Sequence, residues 1–192
     1  MKLTGTVTPD RPLIVVALPE EAAHLRTDLP VLLTGVGKVR AALAVTRALA
    51  TGPLPLEIIN LGTAGALHSG LAGTHEISRV VQHDFDSATI EALTGRSFGA
   101  PLDLLGSGPV LATGDVFVSD PALRAALAEQ AHLVDMEGYA VAAAAADHGV
   151  PVRMIKHVSD EADAAAFASW TESVDACARI LATWLTDWQR TR

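Results

Sequence analysis

The sequence predicts an α/β fold with three layers, in which a central, twisted, mixed but mostly parallel sheet lies between helices. Short apolar runs of strand length recur along the 192 residues, and single helical patterns separate most of them. No repeat, Gly/Ser linker or block of like charge divides the chain. We therefore expect one domain that spans residues 1–192.

The predicted strands are apolar runs bounded by glycine, proline or polar residues. Gly62 and Gly65 are expected to break the third of them, because glycine weakens a strand interior. In chain order, the strands are predicted at residues 13–18, 31–35, 57–62, 77–85, 109–117, 132–136 and 150–158.

Helices are predicted where periodic apolar patterns follow start signals. A helix over 38–50 has apolar positions 39, 42, 43, 45 and 49 on one side. Asp120 followed by Pro121 is typical of a helix start, and Gly149 of a helix end. The remaining helices are expected at 19–25, 137–149 and 164–190, and residues 86–108 are expected to be mostly loop.

Composition excludes several classes of partner. The net charge is −8 and no Lys/Arg cluster relieves it, so we expect neither nucleic acid nor a membrane surface as a partner. The N-terminus has no apolar leader, which favours the cytoplasm. The single cysteine, Cys177, cannot form an internal disulfide and is interpreted as a small buried apolar residue.

Several familiar functional motifs are absent from the sequence. The stretch GVGKV lacks the earlier glycine and the following Ser/Thr of a P-loop, because Leu32 and Val39 stand there. No histidine spacing suits zinc, and no nucleophile elbow is present. A metal at His83, Asp84 and Asp86 is a weak alternative. We expect neither a metal nor a cofactor.

Acids follow several predicted strands, at the edge of the sheet where α/β proteins bind ligands. Glu21, Glu137 and Asp160 are the candidates. Each also has a structural explanation: Glu21 and Glu137 as first-turn acids of helices, and Asp160 as a helix N-cap.

The chain resembles the nucleoside phosphorylase/nucleosidase superfamily, and most closely its methylthioadenosine/S-adenosylhomocysteine nucleosidase branch. The resemblance implies a nucleoside phosphorylase-like sheet. It rests on motifs that occur in the family's order over most of the chain: VALPEEAAHL (16–25), LLTGVGKVRAA (32–42), IINLGTAGAL (58–67), HDFD (83–86), TGDVFVSD (113–120), VDMEGYAVA (134–142) and IKHVSDEAD (155–163).

This resemblance implies a role for each site residue. Glu21 handles the attacking water, and Asp160, oriented by Ser159, faces N7 of the purine. Thr63, Ala64 and Gly65 of the GTAG turn contact the nucleoside, with Thr63 at a position where the family usually has serine. Phe117 stacks on the base, Met136 packs on the sugar and Glu137 binds the ribose hydroxyls.

The chemistry of glycosidic cleavage is consistent with these roles. Breaking a ribose–purine bond builds positive charge on the sugar and negative charge on the base. A protonated Asp160 would assist departure of the base, and general acid catalysis contributes ~10²–10⁴ in rate. Ionised Glu21 and Glu137 would stabilise the cationic sugar.

Water is the predicted nucleophile. The phosphorolytic members carry an arginine shortly before the glycine-rich turn, where this chain has Asn60 and Leu61, and Glu21 would repel phosphate. We therefore predict a nucleosidase for methylthioadenosine/S-adenosylhomocysteine-like nucleosides that releases adenine. A phosphorylase, a hydrolase of futalosine-type or deoxyadenosine-type nucleosides, and a non-catalytic nucleoside-binding protein remain alternatives.

The resemblance also implies a homodimer, in which region 83–105 of a partner closes the 5′ pocket. Phe167 or Trp170 is expected to cover an apolar 5′ group. The chain departs from the family pattern at Asp135, where glutamate is common, and at Lys156 and His157 beside the acid. We expect these departures to affect the substrate more than the reaction.

Overall fold

The computed structural model describes residues 1–191, in which ten strands form one mixed sheet and five α-helices surround it. The strands are β1 (Lys2–Thr4), β2 (Leu13–Val16), β3 (Val31–Leu33), β4 (Ile58–Ala66), β5 (Thr74–Glu76), β6 (Arg79–Gln82), β7 (Leu102–Asp103), β8 (Val110–Thr113), β9 (Leu133–Asp135) and β10 (Val152–Asp160). The helices are α1 (Lys38–Ala50), α2 (Ser87–Thr94), α3 (Pro121–Ala128), α4 (Gly138–Asp147) and α5 (Ala166–Arg190).

The sheet runs in the order β1-β3-β2-β4-β9-β8-β6-β7, and β10 lies beside β4 and pairs with β5. Five of its pairings are parallel: β2/β3, β2/β4, β4/β10, β6/β8 and β8/β9. Four are antiparallel: β1/β3, β4/β9, β5/β10 and β6/β7. The predicted mixed, mostly parallel sheet is therefore confirmed.

Alternate side chains of the central strands enter two different cores, because successive residues of a strand face opposite sides of the sheet. Leu13 and Val15 of β2 pack in the core that α1 and α4 cover. Ile14 and Val16 pack in a second core with Leu181 of α5. The sheet is thus the middle layer of three, as predicted.

Helix α1 has the predicted bounds, but the apolar positions predicted on one side are only partly buried. Its buried residues are Ala41, Ala44, Val45, Ala48 and Leu49, whereas Val39 and Leu43 are 67% and 64% exposed. Small alanine side chains therefore make up most of the buried stripe, which packs in the core shared with α4. The two large apolar residues that remain face outward.

Segment 19–25 is not the predicted helix but a series of irregular turns. Its backbone bonds are isolated, for example Ala22 N to Leu18 O at 3.3 Å and Leu25 N to Ala22 O at 3.1 Å. The carboxylate of Glu21 turns back to the amide of Leu18 and to Thr63 instead of facing solvent. This tertiary contact overrides the local preference for helix.

Two further differences concern strand β4 and region 86–108. Strand β4 continues through Gly62 and Gly65 rather than breaking there, since both lie against the paired β10. Region 86–108 contains α2 as well as loop. Asp86 caps the N-terminus of α2 by accepting from Thr89 N, and Gly95 ends the helix with a φ of 68°.

Over residues 1–191, no helix combines the length and apolarity needed to cross a bilayer.

Candidate active site

A cavity of about 490 Å³ opens at the carboxyl ends of β4, β9 and β10. Seven separate segments of the chain line it, so it lies where ligands bind in α/β sheets. All nine residues predicted from the sequence line it: Glu21, Thr63, Ala64, Gly65, Phe117, Met136, Glu137, Ser159 and Asp160. Phe117 is 43% exposed at its mouth, and Phe167 and Trp170 also line it.

The carboxylate of Glu21 is buried, with 5% of the residue exposed, and only one of its oxygens is held firmly. Oε1 accepts from Thr63 N at 2.8 Å and from Thr63 Oγ1 at 2.9 Å. The indole of Trp170 can only donate, and it donates to Thr63 Oγ1 at 3.0 Å, which leaves the hydroxyl proton for Glu21. Oε2 has a single long contact, 3.3 Å from Leu18 N, and can accept a further hydrogen bond.

Glu137 occupies the N-cap position of α4 without capping its own helix. Its Oε1 instead accepts a hydrogen bond of 2.7 Å from Gly37 N, at the N-terminus of α1. Burial raises the pKa of Glu137, and the neighbouring charge of Asp135 raises it further. The ammonium of Lys156 and the Gly37 hydrogen bond oppose these effects, and the pKa lies at about 7.

Asp160 ends β10 and does not cap a helix, because α5 begins six residues later at Ala166. Its Oδ2 accepts from Ser159 Oγ at 2.8 Å and its Oδ1 from Ala162 N at 2.9 Å. Ser159 thus makes the contact that its predicted orienting role requires. Ala162 has a φ of 49°, so the chain turns sharply after the strand and leaves the carboxyl group at the cavity wall.

The two acids that follow Asp160 have structural roles. Glu161 Oε2 pairs with Arg124 Nη2 of α3 at 3.0 Å. Asp163 Oδ1 accepts from Ala165 N at 2.9 Å, within the turn that leads into α5. Of the three acids in this segment, Asp160 alone lines the cavity.

Two glycines of β4 leave room for the charged side chains. A Cβ at Gly62 would lie 3.1 Å from Lys156 Nζ and 3.4 Å from Glu21 Oε1. A Cβ at Gly65 would lie 3.0 Å from Asp160 Oδ1. Both glycines therefore permit a close approach of carboxylate and ammonium groups to the backbone.

Sequence reasoning missed a buried ion pair behind the cavity. Lys156 Nζ lies 2.8 Å from Asp135 Oδ2, and the two side chains are 3% and 2% exposed. Asp135 also accepts from Thr113 Oγ1 at 2.6 Å and from Gly138 N at 2.9 Å. The available signal was a lysine within an apolar strand pattern, since lysine is almost never fully buried without a partner.

The N-terminus of α1, which could bind an anion, is occupied by the protein's own carboxylates. Gly37 N donates to Glu137, and Lys38 N donates to Asp115 Oδ1 at 2.8 Å. Asp84 joins this network by pairing with Lys38 Nζ and accepting from Asp115 N at 2.8 Å. Among the described residues that line the cavity, none is lysine, arginine or histidine.

The alternative of a metal at His83, Asp84 and Asp86 has no support in the described part of the chain. Asp86 caps α2 and Asp84 binds Lys38. Within residues 1–191, no group of three or more His, Cys, Asp or Glu side chains is arranged to hold a metal ion.

Comparison with known proteins identifies the class of this fold. A model of the phosphorylase superfamily matches residues 99–186. The structure is similar to that of a mutant 5′-methylthioadenosine nucleosidase (MTAN) of Helicobacter pylori with 5′-methylthioadenosine in its active site. That likeness has a TM-score of 0.83 at 22% identity and covers 96% of this chain and 100% of the other. Futalosine hydrolase of the same organism superposes with a TM-score of 0.81 at 21% identity and covers 96% and 98%.

A sequence relative identifies the family within this superfamily. The 5′-methylthioadenosine/S-adenosylhomocysteine nucleosidase of Bacillus cytotoxicus is 31% identical, and the match covers 79% of this chain and 76% of the relative. This chain belongs to the 5′-methylthioadenosine/S-adenosylhomocysteine nucleosidase family of the phosphorylase superfamily.

The raised pKa of Glu137 predicts a specific pH dependence of stability. Between the ordinary value of 4.5 and about 7, folded Glu137 binds a proton more tightly than unfolded Glu137 does. Stability from this group is therefore present below pH 4.5 and falls as pH rises to about 7. Glu137→Gln keeps an oxygen for Gly37 N but cannot ionise. We expect the variant to gain stability relative to wild type across this window.

Urea unfolding of both proteins between pH 4 and pH 8 measures this difference. Glu20→Gln is the matched control, because Glu20 is exposed on the same turn as Glu21. A stability difference between Glu137→Gln and wild type that stays constant with pH would show that Glu137 has no raised pKa.

Proposed function

We propose that this protein is an N-glycosyl hydrolase that cleaves 5′-methylthioadenosine- and S-adenosylhomocysteine-like purine nucleosides and releases adenine. The observation that carries the proposal is the meeting of Glu21, Glu137 and Asp160 in one cavity, from elements far apart in sequence. The family to which the chain belongs supports the substrate class.

In the proposed reaction, Asp160 donates a proton to N7 of the purine as the bond between C1′ and N9 breaks. The electron pair of that bond leaves with adenine, and the sugar becomes cationic. Water attacks C1′ and gives a proton to Glu21, which yields adenine and a free sugar. The free acceptor capacity of Glu21 Oε2 suits contact with that water.

Ionised Glu137 is proposed to accept hydrogen bonds from the ribose hydroxyls and to stabilise the cationic sugar. Its position beside Met136 at the end of β9 supports this role, because both residues line the same wall. Phe117 is proposed to stack on the purine, and Thr63, Ala64 and Gly65 to contact the nucleoside along β4.

The cavity is better suited to water than to phosphate. A phosphate dianion would lie among Glu21, Asp135 and Glu137 with no cationic side chain in the lining of the described cavity. The amides of Gly37 and Lys38 are already bonded to carboxylates. Both facts make an anionic nucleophile unfavourable.

The apolar lining suggests that the 5′ group begins with an apolar thioether, which methylthioadenosine and S-adenosylhomocysteine share. Leu18, Val116, Phe167 and Trp170 form this lining, and a thioether would be buried there without loss of hydrogen bonds. Hydrolysis of futalosine-type nucleosides is the second candidate, because the fold is similar to that of futalosine hydrolase as well.

Products of the reaction test the proposal directly. Incubated with 5′-methylthioadenosine in a phosphate-free buffer, the protein is expected to release adenine and free methylthioribose at a rate that added phosphate does not increase. Chromatography of base and sugar measures this. A sugar 1-phosphate would identify a phosphorylase, and adenine binding without release from any nucleoside would identify a binding protein.

Asp160→Asn is expected to slow adenine release at least ~10²-fold, because it removes the proton donor to N7. A nitrophenyl riboside has a leaving group that needs no proton, so its cleavage should fall much less. Both rates are measured as kcat/KM on the same preparation, with circular dichroism as the check on folding. Equal losses for both substrates would remove Asp160 from the role of acid.

We further propose that the protein forms a homodimer through an apolar face beside the cavity. This face consists of Val36, Val39, Leu43, Val116, Phe117 and Phe167, each at least 43% exposed. Exposed apolar residues that adjoin a ligand cavity typically mark an interface. Region 83–105 is proposed to reach the partner's cavity. It contains α2, and its residues Phe85, Leu93 and Phe98 are exposed.

Leu43→Asp is expected to convert the dimer to monomer and to raise KM for methylthioadenosine. Sedimentation velocity measures the association state. Leu56→Asp is the matched control, since Leu56 is 51% exposed near the start of β4, at the opposite end of that strand from the cavity. A monomeric wild type, or a dimer that survives Leu43→Asp, would contradict this arrangement.

A further inference from the structure

Lys156 is a buried cation to which the proposed mechanism gives no role. It lies on β10 and is 2% exposed, directly opposite Gly62 of β4. Its ammonium group is bonded to Asp135 at 2.8 Å and does not line the cavity. Burying an ammonium group is costly, so a lysine here requires compensation.

Three carboxylates provide this compensation. A Cβ at Gly62 would lie 3.1 Å from Lys156 Nζ and 3.4 Å from Glu21 Oε1, so these two atoms lie on the same side of the strand. Burial acts to lower the pKa of Lys156. The charge and hydrogen bond of Asp135, with Glu137 and Glu21 beyond it, outweigh burial, and the pKa is raised.

The carboxylates in turn depend on this one cation. The groups that face Glu137 are Asp135 from β9, Lys156 from β10 and Glu21 from the turn after β2. From α1 the Gly37 amide faces it, with Asp115 on the far side of that glycine. Within residues 1–191, Lys156 is the only positively charged group among those that face Glu137. The other charges oppose the ionisation of Glu137.

Lys156 also supports the turn that carries two of the cavity residues. It holds Asp135 Oδ2, which accepts from Gly138 N at the first residue of α4. Met136 and Glu137 lie between these anchored points. Displacement of Asp135 would therefore move both residues in the cavity.

We propose that Lys156 is a positioning residue that, through its pair with Asp135, keeps Glu137 ionised in the pH range where the enzyme works. The inference rests on the proposed function, because that function requires Glu137 as an anion. Lys156 acts through these carboxylates and does not touch substrate. Its removal changes the pH at which the site becomes competent as well as the maximal rate.

The discriminating experiment is the pH profile of kcat/KM for methylthioadenosine, whose acid limb reports the essential base of the free enzyme. Lys156→Met removes the cation, so ionising the carboxylates becomes harder. We expect the acid limb to move to higher pH by at least about one unit. Asp135→Asn removes a neighbouring anion, so the limb should move to lower pH. Lys156→Arg keeps the charge and should keep the limb near its wild-type position.

Arg153→Met is the matched control. Arg153 is three residues earlier on the same strand and pairs with buried Glu57 at 3.2 Å and with Glu76, remote from the cavity. Its loss should lower the melting temperature without moving the acid limb. If Lys156→Met lowers activity equally at all pH values, as a merely structural pair would, the proposal is overturned.

Two further measurements keep the test decisive. If Lys156→Met does not fold, the shift to lower pH expected for Asp135→Asn and the unmoved limb expected for Lys156→Arg decide, and an unmoved limb in Asp135→Asn overturns the proposal. If wild type releases no base, the proposed function fails, and titration of the Glu137 carboxyl by ¹³C NMR in ligand-free protein decides separately. An equal Glu137 pKa in wild type and Lys156→Met would then refute the inference.

Discussion

The pairing of β10 with β4 is the constraint on which the rest of the site depends. It sets Gly62 opposite Lys156 and, after a shift of register between Val158 and Asp160, Gly65 opposite Asp160. A Cβ at Gly62 would lie 3.1 Å from Lys156 Nζ, and one at Gly65 would lie 3.0 Å from Asp160 Oδ1. The absence of two Cβ atoms therefore lets a buried ammonium group and three carboxylates share a small volume at the end of the sheet.

The charge arrangement of the site follows from this crowding. Anions are held close together where a cationic sugar would form, and one lysine limits their mutual repulsion. The remaining repulsion affects Glu137, whose pKa is raised to about 7 by burial and by the charge of Asp135. Such perturbed groups concentrate where chemistry occurs, because stability alone would favour a more neutral arrangement.

Much of this could be predicted from sequence, for physical reasons that differ between elements. The bounds of α1 were predictable because GVGK precedes a long periodic run, and all nine motif residues meet at the cavity because the motifs sit at strand ends. The helix over 19–25 was wrong because Glu21 binds Thr63, a contact 42 residues away. The Lys156–Asp135 pair was missed because the two residues lie on strands that pair with β4 and not with each other. Asp86 and Gly95, which cap α2, are typical cap residues, although the region was predicted to be mostly loop.

The carboxylates that fill the start of α1 have a thermodynamic consequence. With Glu137 and Asp115 bonded to the amides of Gly37 and Lys38, the protein supplies its own anions where a phosphorolytic enzyme would keep donors free for an inorganic one. Cleavage by water then dissipates the energy of the glycosidic bond instead of conserving it in a sugar phosphate. The step becomes effectively one-way, because the free sugar keeps none of the free energy that a sugar phosphate would retain.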